Sequence, residues 1–301
     1  QKEFGKEMNL SRISAPLFVE KSSGLNDDLN GTERPVAFDI MEIEGEDYQI
    51  VHSLAKWKRM ALKRYNLNVG KGIYTDMNAI RRDEVLDNLH SCYVDQWDWE
   101  KIISRENRTM EFLKMTVRNI MKALKETEKE LDIVYENLMP FIQEDVYFIT
   151  AQELEDRFPD LTPKEREYEI VKQHRTVFLM KIGDTLNSGE KHDGRAPDYD
   201  DWALNGDILL YYPVLDTVLE ISSMGIRVDA KALAEQLKKA DCEERKNLPF
   251  HKMLLQDELP LTIGGGIGQS RICLILLNKA HIGEVQVSQW SDAMREECEK
   301  H

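Results

Sequence analysis

The stretch that most narrows what this chain can become is Thr262-Ile263-Gly264-Gly265-Gly266-Ile267-Gly268-Gln269-Ser270-Arg271. Three consecutive glycines end an apolar segment, and Gln269 to Leu277 then reads as a helix. Glycine lets backbone approach another group closely, and a helix start aims N–H groups and positive dipole at whatever lies before it. The string matches neither G-x-x-x-x-G-K-[ST] nor G-x-G-x-x-G, so phosphate-loop and Rossmann readings fail. Arg271, one turn into the helix, has the reach for a polyphosphate. A glycine-rich turn followed by a surface arginine is the plainer alternative.

Charge limits the partners. The chain has 301 residues, 40 Lys+Arg against 55 Asp+Glu, and a formal net charge of −15. Duplex binding rests on neutralising phosphates with Lys and Arg, so nucleic acid is not expected as the main partner. No apolar run approaches the roughly 18 residues of a membrane span, and no signal-peptide pattern is visible. Four cysteines (Cys92, Cys242, Cys273, Cys298) stand far apart without a C-x-x-C. That excludes zinc-ribbon spacing and fits reduced thiols in the cytoplasm.

Periodicity suggests one domain over residues 1–301. Met110, Leu113, Val117, Ile120, Met121, Leu124, Leu131 and Val134 recur at helical spacing, predicting a long helix over about 108–138. Thr150-Ala151-Gln152-Glu153 and Thr162-Pro163-Lys164-Glu165 are capping-box starts, the second with Pro at the first helical position. Strands are expected at 146–149 and 177–182. Asp229 caps a helix predicted to end near Lys246. Val36, Phe38, Ile40 and Ile43 alternate and pair with 48–51 across a turn at Gly45; 208–215 and 218–228 make a second hairpin. In a regular strand, Leu219, Ile221, Ser223, Gly225 and Arg227 would share one face. Hairpins among long helices predict an α+β fold, an antiparallel β-sheet flanked by helices. Only 184–202, rich in Gly, Asp and charge, is expected to be disordered.

Several clusters could carry chemistry. Arg195 stands with three carboxylates in Arg195-Ala196-Pro197-Asp198-Tyr199-Asp200-Asp201-Trp202, which suits a phosphate grip or equally a solvated loop. Asp207 and Glu220, on paired strands, suit Mg²⁺, which takes few protein oxygens. Lys56, Lys58 and Arg59 flank Trp57, so a lysine could point into an anionic pocket. In the 93–99 strand Tyr93, Asp95, Trp97 and Trp99 share one face, leaving Gln96 and Asp98 to bind a small polar ligand or form a buried network.

Taken together, Val51-His52-Ser53-Leu54-Ala55-Lys56-Trp57-Lys58-Arg59, Tyr93-Val94-Asp95-Gln96-Trp97-Asp98-Trp99-Glu100, the 195–202 string, Leu204-Asn205-Gly206-Asp207-Ile208, Glu220-Ile221-Ser222-Ser223-Met224-Gly225-Ile226-Arg227-Val228-Asp229 and the glycine run resemble the ammonia-dependent asparagine synthetase A (aspartate–ammonia ligase) family. The likeness covers nearly the whole chain in order. It is shorter than the family pattern in one place, with only Ala203 between Trp202 and Leu204.

The resemblance implies a fold similar to class II aminoacyl-tRNA synthetase catalytic cores, a homodimer, and synthesis of asparagine from aspartate, ATP and ammonia through β-aspartyl-AMP. It implies catalytic roles for Asp27, Lys58, Arg81, Arg195 and Arg271. Aspartate would sit among Asp27, Lys58, Arg81, Gln96, Asp98 and Ser223, with Arg81 forked onto the α-carboxylate and Lys58 on the β-carboxylate. ATP would lie along Arg195, Asp200, Glu220, Ser222, Gly268 and Arg271, with Mg²⁺ on Asp207 and Glu220. Asp28 is the alternative to Asp27. A tRNA synthetase core is the competing enzyme class, and the acidic charge speaks against it.

Overall fold

The structure, a computed structural model, describes residues 1–27 and 33–300. In chain order its elements are α1 (Lys2–Met8), β1 (Leu10–Arg12), β2 (Phe18–Glu20), β3 (Ala37–Ile40), β4 (Ile43–Ile50), α2 (Ala55–Tyr65), β5 (Gly72–Ile80) and β6 (Tyr93–Ile102). There follow α3 (Met110–Val134), β7 (Tyr147–Thr150), α4 (Ala151–Arg157), α5 (Pro163–His174), β8 (Thr176–Met180), β9 (Asp200–Tyr212) and β10 (Thr217–Arg227). The chain closes with α6 (Ala230–Lys239), α7 (Pro249–Leu255), β11 (Thr262–Gly268), α8 (Gln269–Leu276) and α9 (Asp292–Lys300).

Eight strands form one sheet in the order β1-β5-β6-β11-β10-β9-β8-β7. The interior pairs are antiparallel, while β1 runs parallel to β5 and β7 parallel to β8, so the expected antiparallel sheet is a mixed one at both edges. A separate sheet, β2-β4-β3, lies near the N-terminus. Its hairpin turns at Met41-Glu42, and Gly45 lies inside β4 instead of at the turn.

Alternation decides which residues fill each side. Trp99, Phe178, Ile208, Leu210, Met224, Ile226 and Ile263 point to one face and pack with Leu113, Val117, Ile120, Met121 and Leu124 of α3 and with Ile272 and Ile275 of α8. The other face is covered at one end by α4 and α5 over β7–β9, and at the other by α2 over β5 and β6. Between those covers the sheet is left open, and polar side chains collect there. Both predicted capping boxes form, at Thr150/Glu153 and Thr162/Glu165.

Two strands depart from regular pleating. The β9–β10 register shifts between Glu220 and Ser222 and again between Gly225 and Arg227. Leu219 and Ile221 therefore share the core face with Met224 and Ile226, not with Ser223, Gly225 and Arg227 as even alternation predicts. The slip lets both Ser222 and Ser223 meet the open face. Within 184–202, residues 187–191 are exposed, but 195–202 is not a solvated loop: Ala196, Asp198 and Asp200 are buried, and Asp200 already belongs to β9. Gln236 holds it, donating to the carbonyls of Pro197 and Asp200 and accepting from Trp202 N–H. Ala203 sits in the β9 segment opposite the second register shift.

The glycine run is strand, not turn, and its first user is the protein itself. A Cβ at Gly264 would overlap the Glu100 carboxylate, one at Gly265 would lie 2.6 Å from Met224 Cβ, and one at Gly266 would overlap Gln96 Oε1. Gly264→Ala should therefore destabilise the protein by about 1–3 kcal/mol through forced repacking. Urea unfolding measures this, and an unchanged midpoint would mean that Glu100 and Arg227 have room to shift.

Candidate active site

Strand β6 builds the floor. Trp97 and Trp99 enter the core, and the opposite side presents Val94, Gln96 and Asp98 to a cavity of about 780 Å³. That volume falls in the range of small-molecule sites. Across the floor runs a buried row of charges. Lys58 Nζ is bonded to Asp98 and lies 3.8 Å from Glu100; Arg227 Nη2 meets Glu100 at 2.8 Å and Nη1 meets Asp200 at 2.5 Å. Gly264 and Gly225 leave room for it, since a Cβ at Gly225 would lie 2.8 Å from Asp200.

Burial alone would raise the Glu100 carboxyl, but Arg227 and Lys58 hold it below the ordinary glutamate range. Lys58 goes the other way: burial lowers it despite Asp98 and Glu100. Burial also raises Asp200, only partly opposed by Arg227 and Arg195. Charges this deep are stable only when paired and hydrogen-bonded.

One wall is the 193–200 segment. Arg195 is ion-paired with Asp207, and although burial works against its charge, Asp207 and Glu220 raise it above the usual arginine value. Asp198 anchors the segment from behind, accepting from Lys56 Nζ at 3.2 Å, His251 Nε2 at 3.0 Å and Arg245 at 3.3 Å. Helix α8 supplies Arg271, whose Nη1 donates to the Glu220 carbonyl. Another wall carries Arg81, whose Nη1 lies 3.9 Å from Glu84. Asn26 ties the last wall together: its Oδ1 accepts from Asp27 N–H and His52 N–H at 2.9 and 2.8 Å.

Asp27, Arg81, Gln96, Asp98, Arg195, Asp200, Glu220, Ser222, Ser223, Gly268 and Arg271 all line this one cavity. Asp28 lies outside the described residues. Lys58 does not line it. It is 1% exposed and bonded to Asp98, near Glu100 and the carbonyls of Trp99 and Gly265, so here it supports Asp98 from below the floor.

Asp207 is also set back, and it faces Ser223 across the ladder while Glu220 faces Leu209, so the two acids are not directly opposed. Burial pushes Asp207 up to about 7 against the pull of Arg195, with Glu220 and Glu167 adding to the rise. Its hard oxygen donors, with those of Glu220, fit Mg²⁺ arriving with a polyphosphate. Among the described residues no three His, Cys, Asp or Glu side chains form a metal cluster, so phosphate and water would complete the shell.

Sequence reading missed Glu100, Arg227, Asn26 and Asp198 as parts of the site. Glu100 and Arg227 were inside quoted strings, but only strand register shows that they meet. Asn26 is a single polar residue in an unremarkable loop, and nothing local marks it.

The family model for aspartate–ammonia ligase matches residues 1–301. A relative from Ruminiclostridium cellulolyticum, named aspartate–ammonia ligase, is 64% identical over 100% of this chain and 90% of its own length. Relatives of the same name from Clostridium perfringens strain SM101 (63%; 98% of this chain, 88% of theirs) and Levilactobacillus brevis (60%; 99% and 89%) are similar. Among solved structures the fold is like that of Entamoeba histolytica asparaginyl-tRNA synthetase in complex with asparaginyl-adenylate (TM-score 0.64, 13% identity, 95% of this chain and 62% of that one). It is also like the Pyrococcus horikoshii asparaginyl enzyme complexed with asparaginyl-adenylate (0.63, 13%, 93% and 63%) and the Entamoeba aspartyl enzyme (0.63, 15%, 97% and 56%). This chain thus spans about three-fifths of those synthetases, and the likeness is one of class II catalytic-core fold.

Glu100→Gln would leave Lys58 and Arg227 facing a neutral amide, for an expected loss of about 3–5 kcal/mol. A carboxylate lowered on folding contributes stability that is complete above its unfolded pKa and lost as pH falls through its folded one. The variant's stability should therefore fall less steeply than the parent's below the ordinary glutamate range; identical acid limbs in pH-dependent denaturation would remove Glu100 as a source.

Proposed function

The chain belongs to the aspartate–ammonia ligase family, and on that premise we propose that it uses ATP to make L-asparagine from L-aspartate and ammonia through β-aspartyl-AMP, releasing AMP and pyrophosphate. One observation carries the reading: Arg195 and Arg271 share a single cavity with Arg81, Gln96 and Asp98, so a polyphosphate end and an amino-acid end meet over one polar floor.

The first step asks for positioning and charge neutralisation more than covalent help. Arg81, lightly engaged by Glu84, is suited to fork onto the aspartate α-carboxylate. Gln96 and Asp98 present hydrogen-bonding groups from the floor, Asp98 held from beneath by Lys58. The β-carboxylate oxygen attacks the α-phosphorus, and the bond to pyrophosphate breaks. Arg195 and Arg271 take up negative charge on the phosphates, while Asp200, Ser222 and Gly268 border the nucleotide and Ser223 borders aspartate. Mg²⁺, held by Asp207 and Glu220, would supply further charge on the phosphate oxygens. Asp27 lies where a cationic ammonium would find a carboxylate. The same reading places a homodimer in the cytoplasm, with no nucleic acid or membrane partner; among the described residues no helix is long and apolar enough to cross a membrane.

With aspartate, ATP, Mg²⁺ and ammonium, the products should be asparagine, AMP and pyrophosphate in equal amounts; formation of ADP instead would overturn the adenylate route. Arg271→Ala should lower kcat/KM about 10²–10³-fold, as loss of one charge-stabilising donor does, with the thermal midpoint little changed. Parental turnover in that variant would take Arg271 off the phosphates.

A further inference from the structure

We propose that His52 is the base that takes a proton from ammonium before ammonia attacks the adenylate, an inference that rests on the ligase reading above. His52 is 1% exposed and lies on the cavity wall beside Asp27 and Ser53. Its ring Nδ1 is 3.1 Å from the main-chain oxygen of Asp27. A carbonyl oxygen only accepts, so in the neutral ring the proton sits on Nδ1 and Nε2 keeps its lone pair. That nitrogen is buried and has no hydrogen-bond partner among the described residues. A buried acceptor without a donor is costly, and in the proposed step the cavity that His52 lines supplies that donor.

The chemistry of the other wall groups narrows the choice. Ammonium is the dominant form at neutral pH and has no lone pair, so it must lose a proton before it can attack. Asp200, which burial raises, is held by Arg227 at the floor, and Arg81, Arg195 and Arg271 are already protonated. The other described imidazole on the wall, His90, has its Nδ1 2.9 Å from both Asp87 oxygens. His52 is also held in place at its main chain, since Asn26 Oδ1 accepts from both Asp27 and His52.

In the proposed step an ammonium N–H donates to His52 Nε2 and its proton moves there, leaving imidazolium and ammonia. The nitrogen lone pair forms the C–N bond at the β-carbonyl carbon. The C–O bond to phosphate breaks, and its electron pair leaves with AMP. The nitrogen's second surplus proton passes to the departing phosphate oxygen, and the imidazolium returns its proton to solvent when product leaves.

The test compares wild type with His52→Asn, which can keep the Nδ1-like donor to Asp27, and His52→Gln, which can place an oxygen near Nε2 but cannot carry the proton. Three rates are read: aspartate-dependent ATP–pyrophosphate exchange, asparagine formation with ammonium, and aspartyl-hydroxamate formation with hydroxylamine, a nucleophile largely neutral at pH 7. Exchange should stay within about threefold of wild type and hydroxamate formation close to it. Ammonium-driven synthesis should fall about 10²-fold or more, the usual share of a general base. Parental ammonium rates in both variants would overturn the role. So would equal loss with ammonium and hydroxylamine, or loss of exchange, which would mean that His52 serves aspartate or the scaffold. Failure of the ligase reading shows separately, as a wild-type enzyme without aspartate-dependent exchange.

Discussion

Glu100, held between Lys58 and Arg227 with Asp200 beyond, is the interaction on which the rest of the site depends. It joins helix α2, strands β6, β10 and β9 and, through the space over Gly264, strand β11. Buried ions are poor sources of net stability but strong selectors of arrangement, because every alternative packing leaves a charge uncompensated. The row sets where Gln96 and Asp98 stand on the floor and, through Asp200, where the 193–200 wall begins.

Above that floor the cavity handles opposite charges in small compartments. Arg81, Arg195 and Arg271 line the same space as the carboxylates of Asp27, Asp98 and Glu220. In a chain of net charge −15 this cavity gathers cations and acids side by side. The raised Asp207 carboxyl belongs to the same balance: burial lifts it, Arg195 pulls against the rise, and Glu220 and Glu167 add to it.

Much of this was legible in local patterns. Alternation in β6 put Gln96 and Asp98 opposite the tryptophans, capping boxes marked two helix starts, and the order of quoted strings brought the site residues together. What stayed hidden depends on the third dimension. A register slip at Glu220/Ser222 reverses the expected faces of β10, and no propensity reveals it. Lys58 reads as a cation for a ligand until burial and its partners show that it is already committed. The charged 184–202 stretch resembles a solvated loop because its counter-groups, Lys56, His251 and Gln236, are distant in sequence.

The glycine run bears on how such a chain can vary. Gly264, Gly265 and Gly266 each have their missing Cβ volume occupied by a side chain from a neighbouring strand, Glu100, Met224 and Gln96 respectively. A larger residue at any of these glycines would therefore require a smaller one at its occupant. Three such pairs side by side make the centre of the sheet one packing unit, in which a change at one position asks for a matched change at another.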